Sequence, residues 1–258
     1  MPSSPAFEMA PPHPSARSAP SRGGEPSACA VCAVRHRALC AALTPDEIAG
    51  LNRISQRRRF ADGEIVALEG EEFPHGNVVS GVAKLVRGLE DGREQIVGLL
   101  FPSDFMGRPM ATGSGLPHTV QATTELELCV FPREPFEALI AQHPALERKL
   151  LERTLGELDA ARDWMLLLGR KTAAERVATF LHTIALRARE VGCGSDRAAL
   201  GFEIPLTRQD MADFMGLTIE TVSRQMTKLR KDGVIVLEGN RRIARVDMAR
   251  LAARASLE

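Results

Sequence analysis

Pro132 divides this chain into two textures, and that division constrains the fold more than any other feature. Ten of the 21 glycines fall between Phe60 and Gly115, where they punctuate short apolar runs at 64–68, 77–79, 82–86 and 95–100. Short strands of regular spacing joined by glycine turns, as at Glu90-Asp91-Gly92, predict an antiparallel barrel or roll, closed by a further strand over 125–131. After Pro132 the glycines thin out and helical spacing takes over. Leu151, Leu155, Leu158, Ala161, Met165 and Leu168 recur at intervals of three and four, which makes one apolar stripe on a long helix. Such a stripe is either an ordinary core-facing side or the seam of a two-stranded coiled-coil dimer. A break at Gly169 and Thr172 precedes a second helix over 173–189, and the Gly-rich stretch 191–201, which holds Cys193, reads as a loop.

The last quarter of the chain is organised differently. Thr207 is placed to cap a short helix that Gly216 ends, and Thr218 to cap a second helix running to about Lys231. Two short helices about a glycine turn predict a helix-turn-helix. Runs at 234–237 and 242–246, turned by Gly239-Asn240, add a small hairpin and make the module winged. On the second helix Ile219, Val222, Met226 and Leu229 are expected to face inward, leaving Glu220, Thr221, Ser223, Arg224 and Lys228 outside. Arg224 can donate two hydrogen bonds to guanine, Glu220 can accept from cytosine, and Ser223 is short enough to sit against a base or phosphate. The competing reading of the same charges is a solvated helix face.

Charge helps to separate the two. The 33 basic and 33 acidic residues cancel over the chain, which by itself speaks against a nucleic-acid partner. Residues 217–258, however, hold nine basic and five acidic side chains, a net of +4 on a body of −4, and a basic tip is what docking on phosphates requires.

At the other end, residues 1–27 contain seven of the sixteen prolines and read as a disordered tail. Next comes Cys29-x2-Cys32-x7-Cys40, three of the five cysteines within twelve residues. Two Cys separated by two residues can turn both sulfurs onto one metal ion or one face of a cluster. The third reaches another corner, and a fourth soft ligand would come from Cys129 or Cys193. Structural zinc, incidental buried thiols and an iron–sulfur cluster are the three readings, though zinc fingers present two local ligand pairs where only one exists here. His36, inside the loop, is read as solvated.

No run approaches the roughly 18 apolar residues of a membrane span, and the N-terminus lacks a basic region followed by an apolar core, so the expected location is cytoplasmic. The chain also lacks a Gly-rich phosphate loop, a Gly-x-Ser-x-Gly elbow and a His-Glu-x-x-His helix, which leaves catalysis without a sequence basis.

The order of Gly-rich roll, long helix and winged helix-turn-helix, ending in Leu217-Thr218-Ile219-Glu220-Thr221-Val222-Ser223-Arg224, resembles the CRP/FNR superfamily of bacterial transcription regulators. The run Met165-Leu166-Leu167-Leu168-Gly169-Arg170-Lys171-Thr172-Ala173-Ala174-Glu175-Arg176 is similar to the hinge of the FNR (fumarate and nitrate reduction regulator) branch. The resemblance, over about residues 28–248, implies an α+β fold. Its parts are a cysteine segment at 28–43, an antiparallel β-roll of the cyclic-nucleotide-binding type at 44–140, a dimerisation helix at 141–170 and a winged helix-turn-helix at 171–258. It further implies that Glu220, Ser223 and Arg224 read a TTGAT-type half-site in double-stranded DNA. A [4Fe-4S] cluster is implied on Cys29, Cys32, Cys40 and Cys129, the last in a Cys129-Val130-Phe131-Pro132 context, with Cys193 left over. A homodimer controlled by oxygen follows, with the turn 88–93 against RNA polymerase by analogy with relatives. The seven-residue gap between Cys32 and Cys40 departs from members that have five, so oxygen sensitivity does not carry over with the motif. Superfamily members that sense cyclic nucleotides clamp the phosphate with an Arg followed by Ser or Thr. Here the stretch reads Gly115-Leu116-Pro117-His118-Thr119 without the Arg, and no cyclic nucleotide is expected.

Overall fold

Strand pairing follows the alternation of apolar side chains in the first half of the chain, and helix packing follows the caps in the second. The computed structural model describes residues 29–108, 115–191 and 201–256, so the tail read at 1–27 and Cys193 with its loop lie outside the described residues. Turns carry the chain from Cys29 to a 3-10 helix at Leu39–Ala42, and α1 (Pro45–Ile54) follows. Thr44 and Glu47 close a reciprocal capping box at the start of α1, with Pro45 in the first turn where its missing N–H costs nothing.

Eight strands then form the roll: β1 (Gln56–Phe60), β2 (Ile65–Ala67), β3 (His75–Ser80), β4 (Ala83–Gly88), β5 (Glu94–Leu100), β6 (Phe105–Met106), β7 (Thr119–Ala122) and β8 (Leu126–Phe131). They make two antiparallel four-stranded sheets, in the orders β1-β8-β3-β6 and β2-β7-β4-β5. Alternation along β8 positions the candidate site. Leu126, Leu128 and Val130 enter the core of the roll, while Cys129 and Phe131 face a second core built by the cysteine segment, α1 and the helices that follow. At the β3–β4 turn Gly81 has φ of +80°, and a Cβ there would lie 2.1 Å from the Glu125 carbonyl oxygen, so only glycine fits.

The long helix read over 141–170 is α3 (Pro144–Arg170), and a shorter helix that the sequence reading did not separate, α2 (Arg133–Gln142), precedes it. The break falls at His143, because Pro144 disfavours helical geometry in the residue before it. Leu146 and Leu167 are buried and anchor the two ends of α3, whereas Leu151, Leu155, Leu158 and Met165 are between 45% and 71% exposed. Within the protomer the stripe is therefore not core-facing.

The third core belongs to α4 (Ala173–Val191), β9 (Phe202–Glu203), α5 (Arg208–Met215), α6 (Ile219–Lys231), β10 (Ile235–Glu238), β11 (Arg242–Val246) and α7 (Met248–Arg254). It continues onto the roll through Val82, Val86, Ile96 and Phe101. Lys84 pairs with Asp210 at 2.5 Å and Gln95 donates to the Asp213 carbonyl at the same distance, so α5 sits directly on β4 and β5. No helix among the described residues is long and apolar enough to cross a membrane.

Candidate functional site

The helix-turn-helix rests on its caps. Thr207 and Asp210 form a capping box on α5, Gly216 closes that helix in the left-handed conformation at φ of +60°, and the Thr218 side chain accepts from the Thr221 N–H to start α6. Val222, Met226 and Leu229 of α6 are buried as expected from the sequence, but Ile219 is not. It occupies the first helical position, ahead of the turn that packs, and stays exposed, while Leu217 in the turn packs against the core instead.

Glu220, Ser223 and Arg224 stand at spacings of three and four, so they share one face of α6, and all three are exposed. The Arg224 guanidinium donates to Thr221 Oγ1 at 3.1 Å, which holds it over the first turn. Hydrogen bonds at the helix N-terminus, with Thr218 and the nearby Arg224, lower the Glu220 pKa, so the carboxylate is an acceptor at neutral pH. Ser223, Arg224, Thr227, Lys228, Lys231 and Asp232 line an open concavity along this helix. The arrangement offers both acceptor and bidentate donor to base edges, with lysines beyond them for phosphate.

How this module is fastened was not apparent from the sequence. Arg176 donates to the carbonyls of Lys171 (3.0 Å), Leu168 (2.5 Å) and Met215 (2.9 Å), so one guanidinium ties the end of α3 to the end of α5. Trp164 of α3 stacks on Phe214 of α5, ring centroids 4.1 Å apart.

The second candidate site joins two distant stretches of chain. Cys29, Cys32 and Cys40 line the same pocket as Cys129, and apolar side chains such as Val34, Ile48, Leu51 and Val79 complete much of the wall. Cys40 and Cys129 are buried, Cys29 and Cys32 half-buried, and all four are free thiols. Burial pushes the Cys129 thiol up to about 12, only partly offset by Arg57. Burial, then the neighbouring Cys32 and Cys29, push Cys40 up to about 11. Burial followed by Cys32 raises Cys29 as well. Burial thus disfavours the thiolate at Cys29, Cys40 and Cys129, and thiolate formation there calls for added positive charge.

Two arginines in the pocket wall supply part of it. Arg57 is the register partner of Cys129 across β1 and β8, and its other side is held by Glu127 at 3.1 Å. Burial lowers its pKa, but Cys129, Cys32 and Glu127 more than offset that and raise it. Arg35 lines the pocket from the cysteine loop. Among the described residues no group of three His, Cys, Asp or Glu side chains is arranged to hold a metal ion, so the four sulfurs are not drawn together around one centre. Four soft donors on a mostly apolar wall with two arginines are nonetheless the kind of donor set that an iron–sulfur cluster takes. Cys193 lies outside the described residues.

Two family models match the chain: a cyclic nucleotide-binding domain over residues 57–143 and a Crp-like helix-turn-helix domain over 175–254. The transcriptional activator protein FnrL of Cereibacter sphaeroides is 47% identical over 224 residues, covering 86% of this chain and 90% of that protein. The chain belongs to the CRP/FNR family of transcription regulators. Another relative, the nitrogen fixation regulation protein FixK of Bradyrhizobium diazoefficiens, is 38% identical across 88% of this chain and 94% of its own. The solved structure of FixK2 from Bradyrhizobium japonicum superposes with a TM-score of 0.68 at 32% identity, covering 78% of this chain and 96% of that one. As a CRP/FNR regulator the chain is a DNA-binding protein and not an enzyme, and its α+β architecture is the family's roll, long helix and helix-turn-helix. In a DNA-binding regulator, an exposed helix face carrying these donors and acceptors is the place to test for base contact. Arg224→Ala is expected to weaken specific binding by about 1–3 kcal/mol and to relax discrimination at one base pair, read by fluorescence anisotropy on matched and substituted duplexes.

Proposed function

We propose that this regulator is an oxygen-responsive transcriptional activator, in which Cys29, Cys32, Cys40 and Cys129 hold a [4Fe-4S] cluster and a homodimer reads TTGAT-type palindromic DNA through Glu220, Ser223 and Arg224. The observation that carries this reading is that four thiols, three from the cysteine segment and one from the interior strand β8, line one pocket. When bound, the cluster supplies a reaction with oxygen that ends in its own loss. The chain does the rest. Val34, Ala38 and Leu39 of the cysteine segment pack with Phe131, Phe136 and Leu146, so the four ligands are carried by one core that includes the start of α3. Ordering the segment orders that helix, whose exposed leucine stripe is suited to pair with a second copy and to set two α6 helices about one DNA turn apart. A near-complete switch between states needs about 5.5 kcal/mol of differential binding, which four metal–thiolate bonds can supply.

The rival reading, a switch made by thiol oxidation, would fall on the half-buried Cys29 and Cys32 rather than on Cys40 and Cys129, whose burial holds their thiols at about 11 and about 12. Cyclic nucleotide binding is not part of the proposal. Arg87, which approaches Pro117 and His118, is already engaged by the Pro117 carbonyl at 2.7 Å and by Glu69 at 3.3 Å. The turn between β4 and β5 is exposed at Leu89 and stiffened by the Leu89 N–H to Arg93 carbonyl bond at 2.8 Å, which suits contact with RNA polymerase in the cytoplasm.

Anaerobic purification followed by iron and sulfide analysis, with palindrome binding measured before and after air, tests the reading. Stoichiometric iron and sulfide, and DNA binding lost with the absorbance of the cluster, are expected. Colourless, iron-free protein that binds equally in both conditions overturns it.

A further inference from the structure

Arg37 lies in the loop between Cys32 and Cys40, yet its side chain closes on the last turn of α4, 153 residues along the chain. Nη1 donates to the Glu190 carbonyl oxygen at 2.6 Å and Nη2 to the Glu190 carboxylate at 2.5 Å. The Arg37 carbonyl in turn accepts from Arg153 Nη2 of α3 at 2.6 Å. Arg153 also reaches the Asp104 carboxylate, on the turn before β6, at 3.5 Å. Arg187 of α4 stands 3.9 Å from Asp104 and 3.8 Å from Glu190, with its guanidinium 5.6 Å above the Phe101 ring. The cysteine loop, the roll, the stripe helix and the DNA-binding module therefore meet at one ionic junction inside a single protomer.

An isolated exposed ion pair contributes only about 0–1 kcal/mol. The Arg37–Glu190 ion pair is of that kind, with side chains 27% and 48% exposed, but the groups around it are better placed. Asp104 and Arg153 are mostly buried, with side chains 16% and 19% exposed. Arg37 bonds a carbonyl at the C-terminal end of a helix, where a cation also meets the negative end of the helix dipole. Helix α4 shares its core with α6 through Val177, Phe180, Leu181, Val222 and Met226, so a restraint on α4 is a restraint on the recognition helix.

We infer that Arg37 and Glu190 are positioning residues for DNA recognition: through them the cysteine loop, when ordered, holds α4 and with it α6 in place. The inference rests on the cluster reading proposed above and adds to it a route from loop to DNA that does not pass through pairing of α3. Disorder in the loop removes both Arg37 bonds to α4 and releases Arg153 from its carbonyl acceptor.

The test uses the full chain, loaded anaerobically, as wild type, Arg37→Glu, Glu190→Arg and the double charge swap. Iron per protomer, sedimentation mass and affinity for the palindrome are measured on each. The single variants are expected to keep iron and dimer mass but to bind DNA about tenfold more weakly, equivalent to about 1.4 kcal/mol. The swap is expected to recover only the ion-pair part of that loss, because a carboxylate at position 37 cannot donate to the carbonyl of residue 190 and faces the negative end of α4. Glu190→Arg adds positive charge, which alone would strengthen binding to DNA, so a loss in that variant has the opposite sign to a simple charge effect. Single variants with wild-type affinity, or a swap that recovers nothing, overturn the latch while leaving the cluster reading intact. Singles that lose iron in parallel with affinity also overturn it, since Arg37 would then only shape the loop. An iron-free wild type removes the cluster reading instead, and with it the premise of the latch.

Discussion

Replacing Cys129 with Ala is expected to take iron from about four per protomer to none while the roll remains folded. Cys129 sits on the outward face of β8, paired in register with Arg57 on one side and Asn77 on the other, and its neighbours Leu128 and Val130 keep the strand anchored in the roll. Removing one small buried side chain costs on the order of 1 kcal/mol, against the roughly 5–15 kcal/mol of an ordinary domain. The fold therefore survives and the site does not, because the other three ligands all come from one loop and cannot close the fourth corner. DNA binding of the variant should match that of air-treated wild type under both conditions. The contrasting variant is Cys193→Ala, expected to retain full iron. If Cys193→Ala loses its iron and Cys129→Ala keeps it, the fourth ligand has been assigned to the wrong cysteine. Circular dichroism and a thermal melt on both proteins separate loss of ligand from loss of fold.

How well the sequence foretold each element depended on the range of the interaction that forms it. The helix-turn-helix was legible because its determinants are local: Thr207, Gly216 and Thr218 each act within four residues of their own position. Strands β3 to β5 were legible for the same reason, with apolar runs between glycine turns. Strand β1, Gln56-Arg57-Arg58-Arg59-Phe60, was not. It has almost no apolar alternation, and it is a strand because β8 pairs with it and Glu127 bonds Arg57 and Arg59 at 3.1 and 3.0 Å. Ile219 was misplaced because helical periodicity alone does not tell the first helical residue from one inside the packed turns. The three loop cysteines were evident from their spacing, whereas Cys129 as fourth ligand came from resemblance to a family motif, since 89 residues of chain separate it from Cys40. Arg57 and the Arg37–Glu190 contact carried no signal at all, because a surface arginine in sequence looks the same whether it is solvated or bonded to a distant helix.

A single charge in the leucine stripe, Leu158→Glu, is expected to turn the cluster-loaded protein from dimer into monomer without lowering its thermal stability as a protomer. Leu158 is 45% exposed in the single chain, so the substitution removes little from any core that the protomer has. In a symmetric seam each substitution counts twice. Two leucines withdrawn from burial forfeit about 1.5–3 kcal/mol each, and two carboxylates brought face to face add repulsion. A total of about 4–6 kcal/mol corresponds to a dimer dissociation constant raised by roughly a thousandfold or more. Affinity for the palindrome should fall with it, since a monomer engages one half-site and loses the gain of linking two. Sedimentation velocity across a concentration series gives the first quantity, and anisotropy on full and half sites gives the second. Leu167→Glu is the contrasting variant: that side chain is 2% exposed, so the same chemistry there should lower the melting temperature rather than the association state. If Leu158→Glu remains a dimer at the wild-type dissociation constant, the stripe is not the seam, and an exposed row of leucines on α3 would have to be covered by something other than a second copy of this chain.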